Sequence, residues 1–424
     1  MLSFLRTLFG TGRLVARPAK HQFRPQLSQL DDRIVPALNI SASGGFLDIY
    51  GASGQERGTI EVYMGVEESI FLPGFGPIAV YQNGLRQPYT WDGQSISSIQ
   101  VNGMAGVSNS WGSPDDRTDT VILNGVTVPG TVRVLLGGGN DRLTVQGRAS
   151  AGQWHLDGDQ GGDRVTFDRA NVSGHVRVER TETVELVNAA SGTTATSLAS
   201  LFVAHHNHST PVVSSVYLAP GTAVRGDLAV EAEVGYLDVA GRVLGGATLN
   251  ATLPYSDWSL NNLSYANVLP GGEVTGNLTV GRSDLLAGRA TASVEGRVNG
   301  NLSVFGSSAA DVVLVNTGAV VGGSMTVRTA GGNDSVFVYG TVGANTGSQL
   351  TDLRTGDGND RVEVGGSARV DTVSALLEGG DDTFVLYSGA GFASMLVGGG
   401  AGTDSFYGNR TQPNLAIGTF EVFG

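Results

Sequence analysis

The chain contains no cysteine. Disulfide staples, thiolate metal centres, iron–sulfur clusters and cysteine nucleophiles are thereby excluded, so stability has to come from packing, hydrogen bonds or bound ions. Lysine is almost as scarce, Lys20 being the only one. Beyond the first residues the chain therefore cannot host a lysine Schiff base or a phosphate-binding P-loop. Charged residues make up 15% of the 424, too few for the exposed faces of a coiled coil or a large helical bundle. No apolar run reaches the length from which a membrane-spanning helix is built. Glycine, by contrast, is abundant: 64 residues, about twice ordinary usage, without the strict three-residue period of collagen. Combined with 40% hydrophobic residues, this composition describes a folded, turn-rich protein rather than a disordered one.

Charge is unevenly placed. Residues 1–37 hold six of the 26 basic residues (Arg6, Arg13, Arg17, Lys20, Arg24, Arg33) and two of the 39 acidic ones, Asp31 and Asp32. The remainder carries 20 basic against 37 acidic residues, a net of −17. Such an acidic body disfavours nucleic acid, whose phosphates need a basic face, and favours cations or a solubilising role. The opening MLSFLRTLFG is a short basic amphipathic piece, interrupted by Arg6 and too short in apolar residues for an ordinary secretory signal. Residues 23–37, FRPQLSQLDDRIVPA, resemble the N-terminal signature of exported proteins in planctomycete bacteria, in which a basic leader runs into an L-E-D-R-x-V-P-A stretch. The match lies in Leu30, Asp31, Asp32, Arg33, Val35, Pro36 and Ala37, with Asp31 in place of the usual Glu. The resemblance implies export to the cell envelope or beyond it, with removal near Ala37. The competing reading is a disordered basic tail of a cytosolic protein.

The body repeats. Residues 129–150 and 151–172 align without a gap, Gly130 answering to Gly152 and Asp141 to Asp163. The same frame returns with Gly300 and Asp311, and again with Gly323 and Asp334. Aspartates that open an Asp-x-apolar-x-apolar run form the series Asp119, Asp141, Asp163, then Asp311, Asp334, Asp360, Asp382 and Asp404, mostly 22 residues apart. Each unit carries two alternating segments, such as Val132 and Val134 followed by Leu143 and Val145, and alternation is the strand signal. A glycine-rich loop joins them: GGGND at 137–141, GGND at 331–334, GDGND at 356–360, GGDD at 379–382. One unit cannot bury its few apolar residues alone, so the units must stack. The expected fold is all-β, a parallel β-helix or β-solenoid of about 22 residues per rung, roughly 17 rungs and about 80 Å long. Its expected divisions are an irregular start at 38–113, regular repeats at 114–178, an irregular middle at 179–297 and regular repeats at 298–424. All belong to one elongated domain.

The G-G-x-N-D corners resemble the calcium-binding nonapeptide of RTX (haemolysin-type) proteins, G-G-x-G-x-D-x-apolar-x, most closely at 356–364, 137–145 and 331–338. The resemblance implies calcium held by corner carboxylates and loop carbonyls, with Asp141, Asp163, Asp334, Asp357, Asp360, Asp381, Asp382 and Asp404 as ligands. It departs from the RTX pattern in giving one corner per unit rather than an immediate tandem. The alternative is that these aspartates only cap turn backbone.

Weaker candidates remain. His205, His206 and His208 could ligate zinc or copper, or lie in a solvated loop. The pairs Asp115–Asp116 and Asp157–Asp159 could do glycosidase chemistry at a suitable separation, or be wet turns. No GxSxG, HExxH or dinucleotide fingerprint is present. The expectation is an exported, non-enzymatic structural or adhesive element whose partners are extracellular polysaccharide or cell-envelope components, without a transmembrane helix. A polysaccharide lyase or hydrolase is the rival, favoured if acids and arginines gather in one cleft.

Overall fold

The computed structural model describes residues 38–50, 59–64, 78–87, 89–102, 118–188, 195–205, 213–251, 263–282, 288–345 and 348–424. The chain divides into two units, Met1–Ala37 and Leu38–Gly424. The leader, Asp115, Asp116, His206, His208 and residues 254–262 lie outside the described residues.

The second unit is an all-β parallel solenoid of about 12 turns, with rungs about 23 residues apart. Its regular turns place three strands in three stacked columns. The first column holds the strands that follow the aspartate corner, among them Thr120–Asn124, Val312–Val315, Ser335–Val338, Arg361–Val364, Thr383–Leu386 and Ser405–Gly408. The second consists of two-residue strands such as Arg297–Val298, Val320–Val321 and Thr341–Val342. The third includes Ser98–Asn102, Thr131–Leu135, Leu302–Phe305, Met325–Arg328 and Leu350–Arg354.

In-register stacking puts like residues over like. Val313, Val336, Val362, Phe384 and Phe406 follow one another down the first column, and the last two rings stack 5.7 Å apart and nearly parallel. Val132, Val134, Leu143 and Val145 are buried, as their alternation requires. The interior is a continuous ladder of Val, Leu, Ile and Ala closed by a few aromatic rings.

The expected rung count needs correction. The count of 17 rungs assumed that every residue after Ala37 contributes to a turn. Insertions between paired strands lengthen the chain without adding a rung: Tyr236 pairs with Tyr265, for example, rather than with a residue 22 further on. At the start, Asn39–Ser43 runs antiparallel to Phe46–Tyr50, and Ala79–Gln82 antiparallel to Thr59–Tyr63. This local pairing covers sheet edges of the first turns instead of extending the stack. Each unit also holds a third strand beside its two alternating segments, only two residues long and so without a period.

Candidate functional site

The aspartates of the repeat do form one column, and its bonding is specific. Within each run the Asp Oδ1 accepts the backbone N–H of the aspartate one turn earlier: Asp141 from Asp119 at 2.7 Å, Asp163 from Asp141 at 2.8 Å, Asp334 from Asp311 at 2.7 Å, Asp360 from Asp334 at 2.8 Å, Asp382 from Asp360 at 2.8 Å and Asp404 from Asp382 at 3.0 Å, while Asp311, which opens the second run, accepts that of Ala290 at 2.6 Å. Each run ends on a glutamate. Glu182 accepts the N–H of Asp163 at 2.5 Å and Glu421 that of Asp404 at 2.8 Å. In both places the corner shrinks to three residues and a non-glycine, Arg180 or Thr419, takes a positive φ. The longer glutamate side chain spans what the missing glycine loop no longer brings close.

A second ladder runs beside the first in the opposite direction. The Oδ1 of Asn140 accepts the N–H of Gly162 one turn later, that of Asn333 the N–H of Asn359, that of Asn359 the N–H of Asp381, and that of Asp381 the N–H of Thr403, all at 2.8 to 2.9 Å. Successive N–H groups along an extended segment point to opposite sides. The Asn of an Asn-Asp pair therefore presents its N–H to the turn before and the Asp to the turn after, and side chains from those turns meet both. This is why the dipeptide recurs.

Glycine has a steric role here at Gly358, whose φ is +134°. A Cβ on it would lie 2.6 Å from the carbonyl carbon of Gly332 one turn earlier, so any side chain would force the corners apart.

Of the eight expected ligands, Asp141, Asp163, Asp334, Asp360, Asp382 and Asp404 share the buried column, while Asp357 and Asp381 are exposed beside it. Burial pushes the carboxyls up, to about 8 for Asp163 and Asp311, about 7 for Asp382 and about 6 for Asp334, with the neighbouring carboxylates adding to the rise. Asp360 and Asp404 shift the same way for the same reason. The second oxygens of Asp163, Asp382 and Asp404 are buried and have no hydrogen-bond partner. Buried oxygens of that kind suit a proton or a hard cation, and oxygen is the donor type that calcium takes. The loop carbonyls are already engaged between turns: Ala330 accepts the N–H of Asp357 at 3.1 Å, Gly356 that of Gly379 at 3.0 Å and Glu378 that of Ala401 at 2.7 Å.

Asp360→Ala removes the acceptor of a buried backbone N–H and is expected to cost about 1–3 kcal/mol in urea unfolding. Asp360→Asn keeps that acceptor and is expected to cost less than about 1 kcal/mol. Equal losses for the two variants would mean that the Asp360 bond to Asp334 does not hold the turns together.

Other bonds escaped the sequence reading. At the corner between the second and third columns, Asp227 accepts the N–H of Gly246, Asn277 that of Asn301 and Asn301 that of Ser324, at 2.8 to 2.9 Å. The Gly-Asp/Asn-Leu sequence was the available signal, and it serves the middle of the chain where the glycine-aspartate corner is missing. On the third column a charge network joins His155 Nε2 to Glu179 Oε2 at 2.7 Å and Arg177 Nε to Glu179 Oε1 at 2.6 Å, while Arg180 bridges Asp157 and Asp159. The ligand-type atoms of His155, Asp157 and Glu179 lie within 4.8 Å of one another, with each of those carboxylates held by an arginine. His205 is buried rather than solvated, its Nδ1 lying 3.3 Å from the Ser214 hydroxyl, which donates to the Thr181 carbonyl at 2.9 Å.

No protein-family model, curated protein or solved structure matches the chain.

Proposed function

We propose that the protein is an exported, non-enzymatic solenoid that acts as a structural and adhesive element of the cell surface or its surrounding matrix, with calcium at the aspartate corners. The observation that carries the structural reading is the use to which the site-like residues are put: the repeated carboxylates and amides bond backbone N–H groups of neighbouring turns. Export rests on the resemblance of residues 23–37 to the planctomycete leader signature. The calcium reading rests on the buried, partnerless second oxygens of Asp163, Asp382 and Asp404. A bound cation would neutralise carboxylates stacked roughly 5 Å apart. A lyase or hydrolase draws on the His155, Asp157 and Glu179 network, whose ion pairs with Arg177 and Arg180 equally suit a structural role.

Fractionation of the native cell is expected to place the mature chain in the envelope or the medium. Full-length protein confined to the cytoplasm would end the surface reading. Ligands that bind only the folded state raise its stability by mass action, about 2.7 kcal/mol at a hundredfold excess over Kd. Millimolar calcium at physiological ionic strength should therefore raise the melting temperature, EGTA should reverse the rise, and Asp382→Asn should blunt it. An unchanged melting curve would leave the column as turn architecture alone.

A further inference from the structure

Aromatic residues are only 7% of the chain, yet several gather outside the core on the first column near its C-terminal end. Phe337, Glu363, Val385 and Tyr407 stand in register on four successive turns. Tyr339, Gly365 and Tyr387 occupy the next outward position on the first three of these, each directly following the in-register residues Val338, Val364 and Leu386. Tyr387 and Tyr407 are each 43% exposed, and Phe337 stacks on Tyr339 with ring centroids 6.1 Å apart.

Two of these tyrosines, Tyr339 and Tyr387, are held by their hydroxyls. Tyr339 donates its hydroxyl to Glu363 Oε2 at 2.5 Å, and Tyr387 donates to the same oxygen at 3.2 Å. Arg361 Nε donates to Glu363 Oε1 at 2.6 Å. Glu363 is 4% exposed. Burial alone would raise its carboxyl, but the bonds from Tyr339 and Arg361 outweigh burial and hold it below the usual range. Gly365 makes room for the arrangement, because a Cβ there would run into the Tyr339 ring.

We infer that this face, carried by Tyr339, Tyr387 and Tyr407 and anchored on Glu363, is a stacking site for a neutral polysaccharide. The inference rests on the adhesive reading above and gives it a ligand class. Rings fixed by their hydroxyls lose little freedom when a ligand lands on them. Their electron-rich faces attract the weakly positive C–H edge of a pyranose. Charge selects against the alternatives: Glu363, the acid at the centre of the face, has both oxygens committed and is balanced by Arg361. The body, at net −17 beyond residue 37, repels polyanions such as uronates. Tyr339 and Tyr387 spring from backbones two turns apart, roughly 10 Å along the stack, and lean toward each other until both hydroxyls meet Glu363 Oε2 on the turn between. Outward hydroxyls of Ser335, Thr383 and Ser405 line the same strands.

The test is affinity electrophoresis and pull-down of the mature chain on hydroxyethylcellulose, insoluble cellulose, starch and dextran, with polygalacturonate as the anionic comparison. Binding to at least one neutral polymer is expected, weakened tenfold or more by Tyr387→Ala with Tyr407→Ala. Tyr387→Ala gives up the bond to buried Glu363 and should lower the melting temperature, so Tyr387→Phe with Tyr407→Phe is the control: it loses the same hydroxyl but keeps both rings, and it should bind far more tightly than the alanine pair at a temperature where both are folded. No binding to any neutral polymer, preference for polygalacturonate, or undiminished binding by the alanine pair would overturn it. Retention on isolated cell envelopes separates the two levels. Equal retention of parent and alanine pair rejects this site alone, whereas no retention of either rejects the adhesive reading.

Discussion

Replacing Val134 by Asp is expected to cost more than about 4 kcal/mol of folding free energy. Val134 is fully buried, in register with Val101 on the turn before and Leu156 on the turn after. A carboxylate there would enter an apolar ladder with no donor within reach. Its neighbour Arg133 points outward and is exposed, so Arg133→Ser should stay within about 0.5 kcal/mol of the parent. Urea unfolding followed by circular dichroism measures both. Failure of the Val134 variant to fold, beside a normal Arg133 variant, counts as the expected result. A Val134 variant as stable as the parent would mean that the alternation does not describe the core.

The second large effect is a fall in melting temperature as pH rises from about 5 to about 9. The folded-state carboxyls of Asp334, Asp382, Asp163 and Asp311 are pushed up by burial to about 6, 7, 8 and 8, while unfolded carboxyls titrate near 4. Through that window the folded chain keeps protons that the unfolded chain has released. The stabilisation is therefore complete below about pH 4 and is lost as pH climbs through each folded value, levelling off above about 8. Glu179 and Glu363 work in the opposite sense. Despite burial, their bonds to Arg177 and Arg361 hold them low, so what they contribute is lost only under acid conditions. Maximum stability should fall near pH 5, with a drop on the order of 5 °C or more by pH 9. Asp382→Asn keeps the Oδ1 acceptor while removing a buried charge. It should flatten the pH dependence and melt higher than the parent at pH 9 without calcium. Melting temperatures that rise with pH over this range would show that the column does not carry buried charge.

The parallel stack was legible because its signal is redundant: the same Asp-x-apolar-x-apolar run at 141, 163, 334, 360 and 382 fixes both a period and a buried face. That the aspartates share an edge followed from the same frame. The number of turns did not follow, because dividing the length by 22 counts inserted residues, such as the aromatic-rich segment 254–262 between Tyr236 and its partner Tyr265, as if they belonged to the stack. The second column could not be read, since Val298, Val321 and Val342 each sit in a strand too short to alternate. The paired ladders were half legible. Asn and Asp at a glycine corner announce side-chain capping, but nothing in one unit tells which turn each side chain reaches, and the bonds of Asn359 and Asp360 run to opposite neighbours. Glu363 and its tyrosines were invisible for a related reason. Tyr339, Glu363 and Tyr387 are 24 residues from one to the next, and only the rung spacing brings them together.

The central claim is that a corner carboxylate holds the backbone of the turn before it. Hydrogen exchange resolved to single residues tests this most directly at the Asp334 amide, whose partner is Asp360 Oδ1 at 2.8 Å. The amide should be protected in the parent, remain protected in Asp360→Asn and lose protection in Asp360→Ala, while amides inside the first-column strands stay slow in all three. An Asp334 amide that exchanges freely in the parent, or one equally protected in Asp360→Ala, would contradict the account.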